Sequence, residues 1–367
     1  MTHNNFIKKS KMKKNLLYLS LAAFAAFSLT SCSDDDEPID KTPEEVPAVS
    51  HGAFILNQGN YKNKIEGELC VIDYETSEIV REAFVSVNKR SMGDTPQCGI
   101  TYGSKIYLGI YGSNTIEILD ANTYKSIKQI KLSETGFPGT QPRAMVTKGG
   151  KVYISMYDGY VSRLDTLSMA IDGSVKVGPN PEKIGIHENN LYVPNSDGMN
   201  YPDYGTTASV ISLDSFTETS TFTVPMNPKQ FISVGGELFL LCLGNYGDVA
   251  NALYKVEADN TCTKIANATH VSAKDNTIYF IDAPYGGTSS YAKYDVKTGE
   301  LTPMTFEEVP APISIGVDPV TGTIIIGSYK DNSYEAYSLP EFVYQYDNNG
   351  KFVKKYDCGI GDPCIFF

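Results

Sequence analysis

From residue 51 onward the apolar positions fall in short runs separated by Gly, Asn and Asp, and none keeps the three-and-four spacing of an amphipathic helix. One unit recurs: an apolar run that ends in an acid and is followed by a turn. It appears as CVID ending at Asp73, EILD at Asp120, SRLD at Asp165, ISLD at Asp214, YKVE at Glu257, AKYD at Asp295 and YQYD at Asp347. Turn sequences such as DANT, DVKTGE and DNNG follow, in which an acid or amide side chain can close the bend on the backbone.

A second unit precedes each of these: an X-Pro step, a short apolar run, a turn and another run. The steps are Thr95-Pro96, Gln141-Pro142, Asn180-Pro181, Asn227-Pro228, Ala311-Pro312 and Asp362-Pro363, with Thr269-His270 in the seventh place without the proline. Four short strands every 38–52 residues, with no helical stretch, predict a seven-bladed β-propeller of four antiparallel strands per blade. Spread over 51–367, that is about 45 residues per blade. The first unit has no X-Pro strand of its own, since Ala53-Phe54-Ile55-Leu56 reads as a second strand. The chain ends in a surplus first strand, Pro363-Cys364-Ile365-Phe366-Phe367. Both ends are therefore expected to complete one blade, leaving no open sheet edge. A pair of β-sandwiches or an open solenoid would not explain that surplus strand.

Composition agrees with strands: 25 Tyr, 16 Phe and 31 Gly, with no Trp. The net charge of −12, with no long basic run after the leader, argues against a nucleic-acid partner. Lys8, Lys9, Lys11, Lys13 and Lys14 precede an apolar run over 16–29, a charged-then-hydrophobic leader too short for a comfortable membrane span. It ends in Leu29-Thr30-Ser31-Cys32, which resembles a bacterial lipobox, so residues 1–31 are expected to be a lipoprotein signal peptide and Cys32 the lipidated new N-terminus. Met12 is an alternative initiator to Met1. Residues 32–50 are acidic, contain three prolines and carry few apolar side chains, as a flexible tether would. Asp34, Asp35, Asp36 and Glu37 resemble a surface-export signal, which implies an outer-membrane lipoprotein facing the cell exterior.

The loops joining second to third strands lie on the same face as the blade-to-blade loops, and each supplies a tyrosine. Candidate ligand-binding residues on that face are Asn60, Tyr61, Tyr111, Arg143, Tyr157, Tyr204, Asn245, Tyr246, Tyr285 and Tyr329. Tyrosine offers apolar area at low entropic cost plus one hydroxyl, and amides orient a polar ligand. Gln97, Arg143, Glu182 and Lys229 each follow a proline and so belong near the channel mouth. No catalytic constellation is visible: His3, His51, His187 and His270 have no metal-ligand spacing, and no G-x-S-x-G elbow occurs. No cofactor or metal is expected. Cys70, Cys98, Cys242, Cys262, Cys358 and Cys364 form an even set without metal-like spacing, as compatible with buried thiols as with bridges.

The repeat GSKIYLGIYGSNTIEILDANTYKSIKQI, with NPEKIGIHENNLYVPNSDG, resembles the YncE-like propeller family over 51–367. With the lipobox, the acidic tether and the closing DNNGKFVKKYDCGIGDP, it resembles the surface-lipoprotein branch found in Bacteroidetes. That branch includes proteins that capture cobalamin and pass it to an outer-membrane transporter. The resemblance implies a small-molecule nutrient, a corrinoid among the candidates, and a transporter partner. Alternatives from other classes are a propeller lyase or quinoprotein-like oxidoreductase, and a protein-interaction scaffold.

Overall fold

The structure, a computed structural model, describes residues 52–284 and 286–367; the leader, Cys32, the tether, His51 and Tyr285 lie outside the described residues. Seven four-stranded antiparallel sheets form a seven-bladed propeller. The inner strands are Pro96–Tyr102, Pro142–Lys148, Gly185–His187, Pro228–Val234, His270–Lys274, Ala311–Val317 and, at the ring's closure, Cys364–Phe366. They line a central channel of about 640 Å³.

The last strand pairs antiparallel with the first, Phe54 opposite Phe366, Ile55 opposite Ile365 and Leu56 opposite Cys364, and the Phe54 and Phe366 rings stack at 5.1 Å. Above this pairing the Gly59 amide donates to the Ile360 carbonyl at 2.7 Å. The chains approach so closely that a Cβ on Gly361 (φ +86°) would stand 2.3 Å from the Gly59 carbonyl oxygen. Fully buried Asn57 ties the seam: its Oδ1 accepts from the Gly359 amide at 3.0 Å and its Nδ2 donates to the Gly361 carbonyl at 3.2 Å. Glu341 sits beside it, 1% exposed, with one carboxyl oxygen lacking a hydrogen-bond partner. Burial, with Asp362 nearby, pushes its pKa up to about 9.

Each second strand is sandwiched between neighbouring blades, so it is buried on both faces and reads as a continuous apolar run; Lys105–Ile110 (KIYLGI) is an example. The outermost strand of the fourth blade, Thr217–Thr223 (TETSTFT), is almost wholly exposed. The core is a set of wedges between blades, such as Ile116 and Ile118 against Val152, Ile154 and Met156.

The repeating acids act as turn closers on the opposite face. Asp120 Oδ1 accepts from the amides of Asn122 at 3.1 Å and Thr123 at 2.8 Å, and Asp73, Asp165, Asp295 and Asp347 repeat the arrangement. The expectation of no helical stretch needs correction. Ala83–Asn88 (AFVSVN) forms a short helix between the first two blades. Its β-branched composition favours strand, but burying Ala83 and Phe84 in the wedge of Leu69, Met92 and Ile106 overrides that preference.

Candidate functional site

The X-Pro steps do more than begin strands. Thr95, Gln141, Asn180 and Asn227, each immediately before a proline, have φ between +47° and +62°. This backbone is strained for non-glycine residues, at about 1–3 kcal/mol each. Each carbonyl is recovered by the second-to-third loop of its own blade: Thr95 accepts from the Tyr111 amide at 2.9 Å, Gln141 from Tyr157 at 3.0 Å, Asn180 from Ser196 at 3.3 Å and Asn227 from Leu243 at 3.0 Å. The kink throws the residue after the proline into the channel mouth and clamps a tyrosine-bearing loop beside it.

Three residues placed in this way form one network. Arg143 Nε donates to Glu182 Oε2 at 2.7 Å and its Nη2 to Oε1 at 3.3 Å, while the Lys229 ammonium donates to the same Oε1. Glu182 is only 3% exposed. Burial alone would raise its pKa, but Lys229 and Arg143 win and hold the carboxyl ionised, below the usual range. Burial lowers the Lys229 pKa, with Glu182 opposing and Arg143 and Lys183 reinforcing the shift.

The sequence reading did not single out Lys183, although it lies in the same loop. In the fourth blade Pro181 and Glu182 still pair with their own sheet, at Asn195 and Pro194, and Lys183 then turns to a parallel bridge with Gln230 of the fifth blade. Gly185 permits this, because a Cβ there would meet Phe231 at 2.8 Å. The Lys183 side chain has no hydrogen bond or ion pair among the described residues, and its charge reaches His270, Cys98 and Cys364 across the channel.

Tyrosines surround this charged mouth. The Arg143 guanidinium lies over the Tyr157 ring at 5.1 Å, and Tyr157 meets Tyr111 edge-on at 6.0 Å. Farther round, Tyr204 contacts Tyr246 at 5.9 Å and Tyr201 at 5.9 Å. Burial and then Glu182 push the Tyr157 hydroxyl up to about 12, and Glu182 and Arg143 also act on Tyr246. The half-buried Tyr111, Tyr157 and Tyr204 and the exposed Tyr246 thus form an aromatic arc beside Arg143, Glu182 and Lys229.

The remaining candidates separate from this arc. Tyr329 donates to Asp362 and packs on Tyr337 at 4.7 Å. Asn60 donates to Ser338 at 3.2 Å in the same neighbourhood, and Tyr61 is 77% exposed. Asn245 is consumed by its own loop, its Oδ1 accepting from the Gly247 and Val249 amides at 3.0 and 2.9 Å. Tyr285 lies outside the described residues. Among the described residues the tyrosines fall into two groups, because the loop over 195–204 brings Tyr201 and Tyr204 towards Tyr246 while the turn at Glu335–Ser338 gathers its own aromatics.

His270 is neutral: enclosure, with Lys183 nearby, lowers its pKa to about 3, and its Nδ1 lies 2.9 Å from Thr269 Oγ1. Cys70, Cys98, Cys242, Cys262, Cys358 and Cys364 are all free thiols. Among the described residues no group of three or more His, Cys, Asp or Glu side chains could hold a metal ion.

No family model matches the sequence, and no curated protein matches it. Among solved structures, a protein from Lactobacillus plantarum is similar at 13% identity and TM-score 0.59, covering 86% of this chain and 99% of that one. A hypothetical selenium-binding protein from Sulfolobus tokodaii is similar at 11% identity and TM-score 0.59, over 86% of this chain and 92% of its own. Kuenenia stuttgartiensis hydrazine synthase matches at 12% identity and TM-score 0.55, over 76% and 89%. At such identities the likeness is one of fold, and the chain stands among them as a seven-bladed β-propeller.

Proposed function

We propose that this propeller is a binding module that holds a small organic ligand against the aromatic arc at its channel mouth, and that it performs no chemistry on it. The observation that carries this reading is the grouping of Tyr111, Tyr157, Tyr204 and Tyr246 beside Arg143, Glu182 and Lys229. Flat rings beside a polar, charged floor are the usual composition of a small-molecule site. The lipobox-like leader and the resemblance to YncE-like surface lipoproteins extend the proposal. The chain is then an exported protein, lipid-anchored through Cys32 and exposed on the outer membrane, capturing a nutrient for a transporter. A corrinoid is the first ligand to try.

Calorimetric titration of the protein with cobalamins and with a panel of glycans tests the reading. Saturable binding that Tyr157→Ala weakens by about tenfold, a typical loss for a central aromatic contact, supports it. Absence of heat with every member of both panels, or binding indifferent to Tyr111→Ala, Tyr157→Ala and Tyr246→Ala, removes it.

The second aromatic group favours a scaffold role as an additional reading. Tyr334 is 81% exposed and Tyr61 77% exposed, and Asn60 and Asn63 both bond Ser338 between them. Such a patch suits contact with a protein partner. Co-purification with an outer-membrane transporter, abolished by charged substitutions at Tyr61 and Tyr334 but not at Tyr157, is the expected result.

A further inference from the structure

The channel mouth carries more positive charge than its own acid can neutralise. Arg143, Lys183 and Lys229 converge there, and the acid among them is Glu182. Both oxygens of Glu182 are engaged, Oε2 by Arg143 and Oε1 by Arg143 and Lys229 together. Neither oxygen bonds Lys183, whose side chain has no hydrogen-bond or ion-pair partner among the described residues. Lys183 is exposed, but the place from which its side chain springs is fixed. Its backbone is pinned on both sides, the amide donating to the Lys229 carbonyl at 2.9 Å and the carbonyl accepting from the Phe231 amide at 3.0 Å. Asp362, the other acidic side chain lining the channel, accepts the Tyr329 hydroxyl. His270 adds no charge. The chain as a whole is acidic, with a net charge of −12, so a local surplus of cations inside a channel of about 640 Å³ is not a by-product of composition.

We infer that the channel mouth is an oxyanion seat, in which Lys183, with Arg143 and Lys229, receives a phosphate or carboxylate group of the ligand. An oxyanion is held best by several charged donors at once, and an unpartnered ammonium on a fixed stretch of backbone, close to a guanidinium and a second ammonium, offers them. Lys229 is in addition pushed below the usual lysine range by burial, with Arg143 and Lys183 contributing, a repulsion that an incoming anion relieves. The seat deepens the binding reading above: the rings of the arc would cover the organic part of the ligand while its anionic group enters the channel.

Titration of the full chain with inorganic phosphate, pyrophosphate and acetate at low ionic strength tests it, with phosphorus resonance and calorimetry as readouts. Phosphate or acetate binding that weakens as sodium chloride is added, and that Lys183→Met reduces by roughly tenfold or more, supports the seat. The relative strengths of phosphate and acetate tell a phosphoryl from a carboxylate group. Glu182→Gln should tighten the anion, since it releases both Arg143 and Lys229. Lys183→Met removes a side chain without partners and so keeps the fold, which keeps the test decisive if Glu182→Gln does not fold. Absence of binding by all three anions, or equal binding by the wild type and Lys183→Met, overturns the seat. Tyr157→Ala separates the two readings: loss of the organic ligand with phosphate binding intact leaves both standing. Tyr157-dependent binding of an organic ligand without any Lys183-dependent anion binding removes the seat alone.

Discussion

The amide of Lys183 donates to the carbonyl of Lys229 at 2.9 Å, joining the inner edges of two adjacent blades instead of two strands of one blade. This bond sets the floor of the candidate site. It draws the fourth blade's entry segment onto the fifth, so Glu182 arrives beside Lys229 and within reach of Arg143 from the third.

Removing the acid at this junction should be damaging. Glu182→Ala leaves two partly buried cations with no counter-ion, an arrangement that costs at most the roughly 3–5 kcal/mol of a fully buried pair. Glu182→Gln keeps two polar atoms at the position and should cost less. Chemical denaturation of the two variants checks the order, and a Glu182→Ala protein as stable as wild type would contradict the buried network.

Glu341 gives the molecule a predictable pH dependence. Its pKa is about 9 when folded, against an ordinary 4.5. The folded state therefore holds a proton that the unfolded chain releases, so this group's contribution is fully present below 4.5 and is lost as pH rises through 9. Within that window stability should fall by about 1.4 kcal/mol per pH unit from this group. Glu341→Gln should flatten the slope and be the more stable protein at pH 8. Parallel melting curves of the two proteins across the window would refute this assignment.

The ring's closure rests on the last strand. Phe366 is 7% exposed and stacks on Phe54, and Phe366→Ala should cost about 3–5 kcal/mol, the range for truncating a buried phenylalanine. Deleting 364–367 should lower the melting temperature further, since it removes an entire inner strand and bares an edge. A deletion variant melting with the wild type would mean that the blade closes in some other way.

Burial raises the pKa of the Cys70, Cys98, Cys242 and Cys358 thiols well above their ordinary value. Because the thiolate is the reactive form, an alkylating reagent at pH 8 should leave these four unmodified in the folded protein and label them once denaturant is added. Peptide mass mapping reads the result, and early labelling of any of the four in the native state would contradict its buried placement.

The fold was legible because repetition in the chain is repetition in space. Each Asp-turn and each X-Pro step marks one end of a strand, and a first strand left over at Pro363 could only return to the strand at Ala53. Arg143, Glu182 and Lys229 were also legible, as residues following prolines, because a fixed position in a repeat maps to a fixed height in the ring. Other features were not visible there. Lys183 reads as one more polar residue until the parallel bridge shows which way the chain turns, and the helix at Ala83–Asn88 is written in strand-forming residues.

The sequence by itself determined the number of blades, the closure of the ring and which loops share a face, since all three follow from a unit that recurs every 38–52 residues and from its turn chemistry. Only the tertiary structure decided that, among the described residues, the tyrosines divide into two groups, Asn245 serves its own loop, and the side chain of Lys183 in the channel has no partner. Those outcomes depend on contacts between residues of different blades, such as Gly185 with Phe231 or Tyr204 with Tyr246. Spacing along the chain carries no information about such pairs, because what brings them together is close packing of neighbouring blades around a shared axis.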